Sequence, residues 1–158
     1  MTDEEKQIIT RRLTQCNRSE LVVIMYDILF AHLSSAREAH EKRDDREYAE
    51  SLRLANHVID RLIQDLNFKY DISKQLYSLY VYSREQIAKA MYENRLEKID
   101  EVEWLLRRLS EAFGKIAQND TSGPLMSNTQ QVYAGMTYGK SSINENLVNA
   151  DNQRGFLV

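Results

Sequence analysis

The side chains in this sequence that could hold a metal are arranged in a way that argues against a metal centre. Carboxylate-bridged metal sites in helical bundles use Glu-x-x-His pairs on facing helices. The sequence has three histidines, His32, His40 and His57, and none has a glutamate three residues before it. His32 falls on an apolar stripe, which favours a packed histidine over a ligand. We therefore expect no metal and no cofactor.

Nucleophilic catalysis has equally little support. Cys16 is the only cysteine, so no intrachain disulfide can form, and a reducing compartment suits it. No obvious base lies near it in the sequence, and the chain has no glycine-rich phosphate loop and no nucleophile elbow. This pattern favours a binding protein that is not an enzyme. A small helical enzyme that uses Cys16 or a pair of carboxylates remains an alternative.

A cluster of tyrosines is the feature most suited to binding. Tyr77, Tyr80 and Tyr82 fall within two turns of one predicted helix, with Tyr70 just before it. In one interpretation Tyr80 fills the core while the other rings are half buried. In the other, some of the rings line a groove, where tyrosine offers rigid contact area and a hydroxyl for hydrogen bonding.

These residues must be positioned by helices, because residues 1–113 contain neither glycine nor proline. Such a stretch makes few tight turns and favours long helices with short polar links. Asn17 with Glu20 has capping-box spacing, as has Asp44 with Glu47, and Asp71 is a third candidate cap. The apolar periodicity predicts helices over 3–15, from 17 to about 42, from 44 to about 67, from 71 to a polar break at 94–98, and from 99 to about 118.

The second predicted helix is apolar on more than one face. Its main stripe runs from Leu21 to Ala36, and Val22, Val23 and Phe30 widen it. Such a helix packs against several neighbours or against a partner. Four long amphipathic helices predict an all-α fold, an antiparallel four-helix bundle with an additional short N-terminal helix and an extended C-terminal tail. We expect residues 1–120 to form the bundle domain, and residues 121–158 to be an extension that is loosely ordered or packed on the body.

Charge and hydropathy restrict the partners and the compartment. The net charge of −3 and the pI of about 5.7 argue against nucleic acid as a main partner. The longest apolar run, residues 21–26, is far shorter than the roughly 20 residues of a spanning helix, so we expect no membrane insertion. The N-terminal residues are acidic and lack the apolar run of a secretory signal. These features predict a cytoplasmic protein.

Four short motifs, in order, resemble those of the flagellin export chaperone family FliS. They are Leu21-Val-Val-Ile-Met-Tyr26-Asp27, then Asp65-Leu66-Asn67, then Leu76-x-x-Leu79-Tyr80-x-Tyr82, and Leu105-Leu106-x-x-Leu109-x-x-Ala112-Phe113. The likeness spans about residues 8–118. The sequence has Tyr70-Asp71 where the family often has two glycines, and Phe113 where it usually has tryptophan. The family's N-terminal tyrosine, which can cover a groove, has no clear counterpart, so capping of the groove by the N-terminus is not expected.

The resemblance implies a chaperone that binds the C-terminal segment of flagellin, prevents its premature polymerisation and aids its export. It also implies contact with the flagellar export apparatus, and with an assembly regulator or an anti-sigma factor. A helical adaptor, or a chaperone for a different secreted subunit, is the alternative. Binding an apolar helical segment calls for an apolar trough. The flagellin-binding residues we expect are Leu21, Ile24, Met25, Tyr26, Ile28, Leu66, Leu76, Leu79 and Tyr80.

Overall fold

The computed structural model describes residues 3–126, and in that range it contains five α-helices and no strand. The predicted all-α fold is therefore confirmed. Most of the predicted C-terminal extension lies outside the described residues, and the division into a bundle and an extension stays a prediction. The helices are α1 (Asp3–Gln15), α2 (Arg18–Glu41), α3 (Asp45–Gln64), α4 (Ile72–Glu93) and α5 (Glu97–Asn119).

Side-chain caps begin two of the long helices. The Asn17 side chain accepts a hydrogen bond from the Glu20 backbone N–H at 2.8 Å, and the Glu20 carboxylate accepts one from the Asn17 N–H at 2.9 Å, which completes the predicted capping box. The Asp44 side chain likewise accepts from the backbone N–H of Glu47 at 2.9 Å. Both predicted caps are confirmed.

The third predicted cap is confirmed in its position but not as a side-chain cap. Asp71 already has helical backbone angles, and its side chain accepts no capping hydrogen bond. Helix α3 ends at Gln64, three residues before the predicted end, and residues 65–71 form a link of turns. The Ser73 hydroxyl donates to the backbone carbonyl of Asn67 at 2.7 Å and so ties this link to the first turn of α4. The side-chain hydrogen bond at the start of α4 is therefore made by Ser73, and not by Asp71 as the sequence pattern predicted.

Helices α2 to α5 alternate in direction. Helix α2 packs against α3 and α5, and α4 packs against the same two helices on the other side. The Tyr48 hydroxyl, near the start of α3, donates to the carbonyl of Ala90, near the end of α4, at 3.0 Å. Arg37, late in α2, pairs with Asp100, early in α5, at 2.7 Å. Neighbouring helices are therefore antiparallel, as predicted for an antiparallel four-helix bundle.

Aliphatic and tyrosine side chains from all four long helices fill the centre of the bundle. The largest of them are less than 2% exposed. They form one contiguous cluster, whose main members are Tyr26, Leu29, Leu33, Tyr48, Leu52, Ile59, Tyr80, Ile87, Ile99, Val102 and Leu106.

Helix α1 packs outside the bundle, against α2. Arg12 pairs with Asp27 of α2 at 2.6 Å, and Ile8 and Ile9 lie beside Ala31 around a shallow surface depression. None of the residues of α1 is buried. Because the sequence lacks a clear counterpart of the N-terminal tyrosine, we do not expect the N-terminus to cap a groove. Helix α1 nevertheless covers part of the outer face of α2.

Candidate functional site

The nine predicted binding residues all lie in one half of the bundle. Helices α2 and α4 begin at that end and α3 and α5 finish there, because the helices alternate in direction. We call this half the open half, because its link and helix ends also carry several exposed apolar side chains. The prediction therefore selected one region of the molecule, although the residues came from separate parts of the sequence.

Five of the nine residues belong to the interior. Ile24, Tyr26 and Tyr80 are at most 1% exposed, and Met25 and Leu76 retain 8% and 9%. In this conformation they can form the floor of a binding surface but offer little area of their own. Their predicted contact with a ligand stays a prediction.

Tyr26 and Tyr80 join two helices that face each other diagonally across the bundle. Their hydroxyl oxygens are 2.7 Å apart in a buried hydrogen bond. Burial disfavours the charged phenolate, and it is the main reason that the pKa of each tyrosine is raised above its usual value. Tyr80 thus fills the core, as the first interpretation of the tyrosine cluster had it, and the hydroxyl pair fixes α2 against α4.

The remaining four residues are partly exposed and lie on two different flanks. Ile28 is nine residues before Arg37, which is two and a half helical turns, so it lies on the opposite side of α2 from α5. Leu21 precedes Ile28 by two turns on the same side, and Leu66 follows the end of α3. These three residues border the α2–α3 flank.

Leu79 lies on another flank of the bundle. It is one turn before Tyr82, which shares a surface pocket with Leu105 and Trp104 of α5. Leu79 therefore faces the α4–α5 flank. The structure does not bring all four partly exposed residues into a single groove.

Exposed apolar side chains that are not among the nine predicted binding residues lie between α3 and α4. Phe68 is 53% exposed, and its ring meets Tyr77 edge to face with 5.8 Å between centroids. Tyr70 and Ile72 are also exposed. The signal that could have revealed them is the alternation of apolar and charged residues from Phe68 to Ile72, outside a helical pattern.

Helix α2 has more apolar surface than the bundle uses. By length and composition alone this helix could cross a membrane, and only 33% of its most apolar stretch is buried. Core helices of soluble proteins pass the same test, and α2 contributes to the core cluster. Ile24 is buried outside that cluster, and Ile28 does not pack against it. Helix α2 therefore presents apolar side chains that do not contribute to the main core.

The described residues, 3–126, contain no group of three histidine, cysteine or acidic side chains that could hold a metal ion. His32 is partly buried, and loss of hydration lowers its pKa, which favours the neutral ring. Burial also raises the pKa of the Cys16 thiol. These features favour the neutral forms of His32 and Cys16, and the described residues offer no site for a metal ion.

A comparison with protein families finds a match over most of the chain. The model of a family described as flagellar protein FliS matches residues 1–120 of the 158. No curated protein matches this chain. The match covers α1 to α5 and ends at the first residue after α5.

Proposed function

This chain belongs to the FliS family of flagellar export chaperones, and from that premise we propose that it binds the C-terminal segment of flagellin in the cytoplasm. Bound there, the segment cannot polymerise prematurely, and the complex is delivered to the flagellar export apparatus. An assembly regulator or an anti-sigma factor is proposed as a further partner on the same basis. The family is one of chaperones, not of enzymes.

The observation that carries this proposal is the apolar side of α2 that the main core does not use. A ligand that folds as an amphipathic helix binds by placing apolar anchors, spaced three or four residues apart, into an apolar trough. Ile28 lies on this side, and Leu21, two turns before it, is partly exposed although it also packs against the core cluster. Methionine beside them, at Met25, can adapt its shape to the ligand.

The opposite wall of the proposed trough is α3. Asp60 pairs with Arg84 of α4 at 2.9 Å, so the side of α3 away from Asp60 faces α2. Leu54 and Val58 lie on that side, and Leu54 is 41% exposed. From Leu54 to the end of α3 at Gln64 the trough is about 15 Å long at 1.5 Å per residue. That length accommodates roughly three turns of a bound helix.

The other predicted residues have supporting roles in this proposal. Ile24, Met25, Tyr26, Leu76 and Tyr80 form the floor behind the trough, and Leu79 borders the α4–α5 flank. A bound segment longer than three turns would continue around the open half, where the exposed Phe68 and Tyr70 extend the apolar surface.

Isothermal titration of the full chain with a peptide of the host's flagellin C-terminal segment tests the proposal. Ile28→Asp places a charge in the trough, and we expect binding at least tenfold weaker, since burying an unpaired charge is strongly unfavourable. Ser34→Asp is the matched control, because Ser34 is an exposed residue of the same helix. Circular dichroism must show that both variants are helical. Equal affinities for the two variants would remove the trough from the proposal.

Co-purification from a motile host separates the flagellin chaperone from its alternative. We expect flagellin to be retained by the wild-type chain and lost with Ile28→Asp. Retention of a different exported subunit, with the same loss, would replace flagellin by that subunit while keeping the trough.

A further inference from the structure

A short segment after α5 fastens the junction between α1 and α2. Residues 120–125, which we call the strap, leave α5 and return to the residues that separate α1 from α2. The backbone N–H of Leu125 donates to the carbonyl of Cys16 at 2.9 Å. The Asn17 side-chain amide donates to the carbonyl of Asp120 at 3.1 Å. The strap therefore holds both residues of the α1–α2 junction, Cys16 and Asn17.

Asp120 is the centre of this arrangement. One oxygen of its carboxylate accepts the Ser19 hydroxyl at 2.5 Å, and the other accepts the Ser122 backbone N–H at 2.9 Å. The first bond joins the strap to the first turn of α2, and the second sets the turn inside the strap. The same residue thus contacts α2 and shapes the strap.

The strap lies against two buried residues. Cys16 and Asn17 are only 4% and 5% exposed. Beside them is a pocket of about 460 Å³ between α1, α2 and α5, with Ile24 and Ala117 in its lining. Cys16 is buried outside the main core cluster, and the hydrogen bond from Leu125 holds the strap against it.

The strap itself is held by hydrogen bonds and not by apolar burial. All residues from 121 to 126 are exposed, and Leu125 is 52% exposed. A segment with few buried apolar contacts and several hydrogen bonds near solvent opens locally at much lower free energy than the whole domain. Opening of the strap does not require unfolding of the bundle.

We propose that the strap is a releasable latch, closed by Asp120, that controls access to Cys16. In the closed state the end of α5 fixes the junction from which α1 extends. In the open state Cys16 is accessible, because the strap no longer lies against the α1–α2 junction. The latch would act in this way whatever polypeptide the trough binds.

Cys16 is the only cysteine of the chain, so its reaction with a neutral aromatic disulfide reagent reports opening directly. For Asp120→Ala in the full chain we expect labelling about tenfold faster than for the wild type, from the loss of two hydrogen bonds to the carboxylate. For Ser19→Ala, which removes one of them, we expect about a threefold increase. Asp100→Ala, the same substitution elsewhere on the surface of α5, should not change the rate.

Two further measurements make the result decisive. Labelling through local opening is nearly insensitive to low urea concentrations, whereas labelling through global unfolding rises steeply. Asp27→Asn, which breaks the ion pair that holds α1, should change the rate less than Asp120→Ala does. An unchanged rate in Asp120→Ala, a steep dependence on urea, or an equal effect of Asp27→Asn would each overturn the latch. If Asp120→Ala fails to fold, Ser19→Ala decides by the same criteria.

Discussion

Helices α2 and α3 are neighbours of similar length in the same bundle, yet their apolar residues are arranged very differently. The buried residues of α3 form one face, and most of the other positions are charged or polar. Helix α2 buries a similar face, but it also buries Ile24 outside the core cluster and carries the partly exposed Ile28 away from that cluster. Helix α3 has the pattern of an amphipathic helix with a single buried face. The difference directs attention to Ile28, which the core cluster does not use.

The three neighbours of α2 account for much of its wider apolar surface. Helices α3 and α5 cover two sides, and α1 covers part of the third. On the side toward α5, Arg107 lies over the Phe30 ring at 4.5 Å from its centroid. The α2–α3 flank, with Ile28, is one part of this surface that stays partly open, and the pocket between α1, α2 and α5 is another. The comparison with α3 therefore leads to the proposed trough.

The largest losses of stability should come from the core residues that α2 and α3 both contribute. Leu29 of α2 and Leu52 of α3 are both 0% exposed in the core cluster. We expect Leu29→Ala and Leu52→Ala each to lower the free energy of unfolding by about 2–5 kcal/mol, from lost burial and the remaining cavity. Urea denaturation measures both values. A loss well below this range for Leu29→Ala alone would mean that α2 is not a core helix in the sense that α3 is.

The buried tyrosines give a pH test of the same core. Burial raises the pKa of Tyr26, Tyr80 and Tyr48 in the folded state. Below the unfolded pKa of about 10 these tyrosines are neutral in both the folded and the unfolded protein, so their burial contributes fully to stability. Above it the unfolded tyrosines ionise first, so stability falls toward the folded pKa values. For Tyr26 and Tyr80 together we expect a loss of about 3 kcal/mol per pH unit above 10.

Ultraviolet titration of tyrosinate tests this expectation. The buried tyrosines should ionise only as helical circular dichroism is lost. Ionisation of all tyrosines before any loss of helix would contradict the buried hydroxyl pair.

The N-caps of α2 and α3 should differ in their contribution to stability, by less than the core substitutions cost. Asn17 and Asp44 both accept a hydrogen bond from the backbone N–H three residues on, but Asn17 is buried and also donates to Asp120. We expect Asn17→Ala to lower the free energy of unfolding by about 2 kcal/mol and Asp44→Ala by about 1 kcal/mol. Denaturant titration of both variants gives the difference. Equal values would show that the bond from Asn17 to the strap contributes nothing to stability.

The architecture could be predicted because its signals are local. The absence of glycine and proline before Gly114, the two confirmed caps and the apolar periodicity each depend on residues a few positions apart. The missing side-chain cap at Asp71 shows the limit of this reasoning. Aspartate is a common N-cap residue and it precedes the helix here, but its side chain makes no capping bond. The side chain of Ser73 bonds to Asn67 and joins the link to the helix.

The binding site could be predicted only as a region. The sequence placed Leu79 and Tyr80 together because they are adjacent, while the structure puts Tyr80 in the core and Leu79 on a flank. An apolar periodicity shows which residues avoid water, but not whether a neighbouring helix or a partner covers them. For Ile24 that distinction depends on α1 and on the last turns of α5, which come from opposite ends of the described chain.

The smallest expected change in stability, at Ile28, tests the comparison between α2 and α3 most directly. Ile28 of α2 and Val58 of α3 are both partly exposed, but only Val58 packs against the core cluster. We therefore expect Ile28→Ser to lower the free energy of unfolding by less than about 1 kcal/mol, and Val58→Ser by about 1–2 kcal/mol. Denaturant titrations of the two variants, made without any ligand, supply these values. A greater loss for Ile28→Ser than for Val58→Ser would make Ile28 a folding residue, and the apolar side of α2 would then lose its status as a surface kept for a partner.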